Sequence, residues 1–155
     1  MGRYRRLVKD IRKKSFPEIK GKIFVYRMKL PVGSAGALSL PFNLNFIFMT
    51  PKLDNKSKKY IIGILAHELS HISGNEKRTL IEGLIFTFKY WVSSKKFRKN
   101  EEVDTDKLAI EKGFFKEIYE IAKDRKSKMS KYYLTPKEVL NYYNKLKKNK
   151  INSKY

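Results

Sequence analysis

The strongest constraint on this chain lies between Ser57 and Ile72. Gly63 is the one helix breaker there, and Ile61, Ile62, Leu65, Leu69 and Ile72 recur at helical spacing. Ile64 widens the apolar stripe, so this helix belongs largely inside a domain. Asp54 or Asn55 offers an N-cap, and Ser73-Gly74-Asn75 offers a C-cap. Both histidines of the chain fall in this helix, in Ala66-His67-Glu68-Leu69-Ser70-His71. A solvated His-Glu-His surface would need a polar side that Ile64, Leu65 and Leu69 do not leave.

Residues four apart share one helical face at about 6 Å, so two imidazoles in an HExxH pattern can grip one metal ion. Glu68 sits beside the pair, where its carboxylate can reach a water on the metal without being a ligand. A catalytic zinc site uses three protein ligands, and with two histidines and no cysteine the third must be an oxygen. Glu101-Glu102-Val103-Asp104-Thr105-Asp106 is the densest acidic cluster in a basic chain. Glu102 and Asp106 are four apart on one face, which lets Glu102 bind metal while Asp106 hydrogen-bonds a ligating imidazole. Glu101, with Thr105 at the corresponding offset, ranks second. Taken alone the cluster reads as an acidic first helical turn favoured by the helix dipole; the need for an oxygen ligand favours the metal.

The chain has 155 residues, enough for one compact domain and too few for two of full size. The absence of cysteine excludes disulfide scaffolds, thiolate zinc sites, iron–sulfur clusters and cysteine nucleophiles. The net charge of +21 predicts attraction to polyanions, while 41% hydrophobic and 14% aromatic content are too high for a disordered polycation. That charge is uneven: residues 1–22 hold nine basic against two acidic side chains, and residues 122–155 hold eleven against two. Polyanion contact is thus expected through the basic ends. No membrane span is expected, since the most apolar stretch, Leu80 to Val92, contains Glu82 and Lys89. The basic start lacks the apolar region of a secretory signal, and Arg6 stands where myristoylation wants Ser or Thr, so a cytoplasmic location is expected.

Tyr4, Leu7, Val8 and Ile11 predict an amphipathic helix ending near Ser15. Lys22 to Leu30 reads as a strand closed by Pro31, and Ala35 to Leu40 with Leu44 to Met49 read as a hairpin. Further helices are expected from about Thr79 to Ser94, and from near Glu101 past Ala109, with Gly113 a break or bend before Phe114 to Ala122. Thr135-Pro136-Lys137-Glu138 is a capping box, followed by the apolar face Val139, Tyr142, Tyr143 and Leu146. Lys147 to Tyr155 should fray. The expected class is α+β: a small twisted antiparallel or mixed sheet of about three strands packed on the histidine helix and further helices.

His67-Glu68-x-x-His71 followed by Glu102-x-x-x-Asp106 resembles the gluzincin clan of zinc metallopeptidases, and the small size resembles its compact archaeal forms, the minigluzincins. The resemblance covers Phe24 to Phe114 and implies a zincin-like fold. It also implies one catalytic Zn²⁺ held by His67, His71 and Glu102, with Asp106 in support, and a peptide or protein substrate. It implies further that Ala35, Gly36, Ala37 and Leu38 form a sheet edge to which an extended substrate adds; the same run reads equally as an ordinary hairpin strand. Gly74 fits a metzincin continuation but Lys77 does not, and the third histidine of SprT-type proteases is lacking. Tyr119, Tyr132, Tyr133 and Arg125 are unranked candidates to stabilise an oxyanion.

The expected division is a basic N-terminal helix or extension over 1–22, a catalytic domain over 23–122, and a basic C-terminal helix and tail over 123–155. The expected activity is metalloendopeptidase hydrolysis, with Glu68 as general base. The rival reading is a basic nucleic-acid-binding protein with a structural or vestigial metal site, its tyrosines stacking on bases. A third reading keeps the peptidase latent, with the C-terminal segment folded over its cleft.

Overall fold

The computed structural model describes residues 2–30, 33–40, 43–76, 95–125 and 131–152. The first helix, α1 (Gly2–Ser15), buries Tyr4, Val8 and Ile11 along one stripe and carries Arg12, Lys13 and Lys14 in its last turn, where cations suit the helix dipole. Phe16 and Ile19 follow into the core. Strands β1 (Lys22–Arg27), β2 (Ala35–Leu40) and β3 (Leu44–Met49) form a mixed sheet in the order β1-β3-β2. β3 pairs parallel with β1 and antiparallel with β2, so the hairpin reading of β2 and β3 holds. β1 ends at Arg27, short of the expected Leu30, although the Met28 amide still donates to the Met49 carbonyl.

One sheet face packs on α2 (Lys58–Glu76), the histidine helix. Its N-cap is Ser57, whose Oγ accepts from the Tyr60 amide at 3.1 Å, rather than Asp54 or Asn55. Asp54 instead accepts from the Tyr4 hydroxyl at 2.6 Å and pairs with Arg27. The helix also runs through the expected C-cap Ser73-Gly74-Asn75 to Glu76. The Ser73 hydroxyl donates to the Glu18 carboxylate at 2.6 Å, so it has no need of a capping role. Ile61, Leu65, Leu69 and Ile72 are completely shielded from solvent.

Residues 77–94, which hold the helix expected from Thr79 to Ser94, lie outside the described residues. The acidic helix α3 spans Lys95–Ala109, beginning earlier than the expected Glu101. A π-turn at Ile110–Phe114 joins it to α4 (Phe115–Asp124), with Gly113 at φ +99°, a conformation that favours glycine. The expected bend is there. Gly63 lets α4 approach α2: a Cβ at that position would lie 2.7 Å from the Glu117 carbonyl oxygen. The last helix, α5 (Pro136–Asn152), starts in a closed capping box, the Glu138 carboxylate accepting from the Thr135 amide at 2.8 Å and the Glu138 amide donating back to the Thr135 hydroxyl. It continues past the expected fraying point at Lys147, because no breaker follows and a lysine-rich end is compatible with the dipole. Val139 is fully buried, and Tyr143 stacks on Phe115 at 3.8 Å, so α1 and α5 both contribute to the core.

Candidate metal centre

α2 places His67 and His71 one turn apart, with ring centroids 4.9 Å from each other. α3 crosses beside it and brings Glu102 to both: Glu102 Oε2 is 3.1 Å from His67 Nε2 and 3.4 Å from His71 Nε2. One ligand atom from each of the three residues lies within 4.8 Å of the others. Glu102 is the oxygen donor in this group, not Glu101, whose carbonyl accepts from the Thr105 hydroxyl. Asp106, fully buried, accepts from His67 Nδ1 at 2.9 Å. Glu68 stands beside the group, buried and outside it.

The hydrogen bonds of the two imidazoles set what their remaining nitrogens require. Thr105 Oγ1 donates its hydrogen to the Glu101 carbonyl at 2.7 Å and can only accept from His71 Nδ1, 3.2 Å away. His71 Nδ1 then carries the hydrogen, which leaves a lone pair on Nε2. His67 Nδ1 is likewise committed to Asp106, and its Nε2 faces a carboxylate. Some cation, a proton or a metal, is therefore needed where Nε2 of both histidines meets Glu102. Two imidazoles and one carboxylate form a donor set suited to zinc.

The electrostatics agree. Burial alone would lower the His67 pKa, but the Asp106 and Glu102 hydrogen bonds outweigh it and push it up to about 10. Burial acts to raise Glu102, yet both imidazoles hold its carboxyl well below the usual carboxylate range. The same opposition holds Asp106 low, with Arg125 adding its charge. Glu68 moves the other way: desolvation dominates and raises its pKa.

Asp106 has further partners that the sequence did not reveal. Arg125 at the end of α4 grips it with two guanidinium nitrogens at 2.5 and 3.1 Å, and the Leu134 amide donates to it at 3.2 Å. The Arg125 guanidinium stacks on Tyr133 at 3.8 Å, and the Tyr133 ring lies 5.7 Å from His67. Of the four oxyanion candidates, Arg125 is engaged by Asp106 and Tyr133 lies against a histidine. Tyr119 packs with Phe115, and Tyr132 under Lys131. The sequence presents Thr105 only as the residue four after Glu101 and Arg125 only as an oxyanion candidate, not as partners of His71 and Asp106. Ala35, Gly36, Ala37 and Leu38 lie on β2, an edge of the sheet. No family model, curated protein or solved structure matches the chain.

Proposed function

We propose that this protein is a zinc-dependent metallopeptidase in which His67, His71 and Glu102 hold the metal and Glu68 is the general base. The observation that carries the reading is the convergence of two imidazole nitrogens and one carboxylate oxygen beside a buried glutamate that is not part of the group. Bound zinc would supply Lewis acidity, polarising a carbonyl and acidifying a water. The chain's own residues do the remainder. Asp106 fixes the His67 tautomer and directs Nε2 toward the ligand position, and Thr105 does the same for His71. Glu68, kept basic by burial, accepts a proton from the attacking water and returns it to the leaving amine.

The sheet supports a place for the substrate: among the described residues β2 pairs on one side, with β3, and an extended peptide could add along Ala35–Leu38 by main-chain hydrogen bonds. The experiment is Glu68→Gln, assayed on a denatured protein substrate with zinc content measured on the same sample. The reading expects zinc retained and hydrolysis reduced by at least about a hundredfold, in line with the loss of one general base. Hydrolysis at the unchanged rate in the zinc-loaded variant would refute it.

A further inference from the structure

The sheet has a second face, turned away from α2. Along its strands alternate residues Val25, Ile47 and Met49 are buried toward the helix at 2, 0 and 0% exposure, so their neighbours point outward. The register aligns Phe24, Phe46 and Leu38 in one outward row and Tyr26, Phe48 and Gly36 in the next. Phe24 is 39% exposed, Tyr26 44%, Leu38 38% and Leu40 44%. The four rings form a continuous patch with centroids 5.4 to 6.4 Å apart and planes within 27° of parallel. A sheet with one solvated face ordinarily alternates apolar and polar residues; this one is aromatic where it meets water. Among the described residues nothing lies within 4 Å of the place a Gly36 Cβ would take, next to Phe48 in this row.

The charge selects the partner. None of the three described strands contains an acidic residue; Lys22 is exposed on the outward row, and Lys20 and Lys29 are exposed just beyond the ends of β1. A second copy would bring +21 against +21, which favours an anionic partner over self-association. Anionic bilayers are usually met by an amphipathic helix lying in the interface, but α1 and α4 turn their apolar sides inward, burying Tyr4, Val8 and Ile11 and Ile118, Ile121 and Ala122. Single-stranded nucleic acid supplies both requirements, a phosphate for each lysine and a π-face on every base.

We propose that this outer face binds single-stranded nucleic acid, bases stacking on Phe24, Tyr26, Phe46 and Phe48 while Lys20, Lys22 and Lys29 meet phosphates. The face lies across the sheet from α2, so the proposal stands or falls independently of the metal centre. The test is fluorescence anisotropy of a labelled oligothymidine strand against the full-length protein over a range of salt concentrations. Phe24→Leu/Tyr26→Leu keeps the apolar bulk and removes both rings. It should weaken binding about tenfold or more with the salt slope unchanged, because stacking and phosphate contact are separate contributions. Tyr26→Phe should bind as the wild type does. Unchanged affinity in the double leucine variant would overturn the proposal, leaving the basic ends as the contact. So would tighter binding to phosphatidylserine vesicles than to the strand, or a wild-type dimer that the variant dissolves.

Discussion

Asp106 gathers four donors beside the candidate centre: one imidazole nitrogen, two guanidinium nitrogens and the Leu134 amide. Its neutral replacement, Asp106→Asn, removes the charge that fixes His67 while keeping the shape. Zinc affinity should fall about 10- to 100-fold, the usual cost of losing such support, as read by competition with a chromophoric chelator. Unchanged affinity would show that Asp106 serves only Arg125. A second residue-scale case is Glu18, which accepts from Ser73 and pairs with Lys112 at 2.6 Å. Burial works to raise its pKa, but those two hydrogen bonds outweigh it and hold it below 4.5. A carboxyl lowered by folding stabilises the protein above its unfolded pKa, and that contribution disappears as pH falls through the folded value. Stability should therefore drop in acid below about pH 4.5, and Glu18→Gln should flatten this part of the curve, measured by urea unfolding from pH 3 to 7. A curve of the same steepness would contradict the assignment.

Among the elements, α2 was the most legible in the sequence because apolar periodicity and histidine spacing fall on one unbroken helix. The strands were legible from alternation and the α5 cap from its four-residue pattern. What escaped was set by partners distant in sequence. Ser73 looks like a helix stop until Glu18 is placed against it, and Thr105 looks inert until His71 is placed over it. Gly63 looks like a flaw within α2 but marks where α4 crosses. Gly63→Val would push a side chain into the Glu117 carbonyl and Ile121, and overpacking of this kind costs about 1–3 kcal/mol. Thermal unfolding should detect the loss; an unchanged midpoint would mean that the two helices do not meet there.

At the scale of the whole molecule, one core joins α1, the sheet and α2 to α5, and the candidate metal ligands sit where α2 meets α3. The +21 charge is a property of the surface and does not enter this arrangement. Among the described residues one group of donors converges: two imidazoles on α2 and an oxygen from α3. Whether this set binds zinc is decided by elemental analysis of the dialysed protein beside its Glu102→Ala variant. Stoichiometric zinc in the native chain and its loss in the variant are expected; a native chain without zinc, or a variant that retains it in full, would rule the metal centre out.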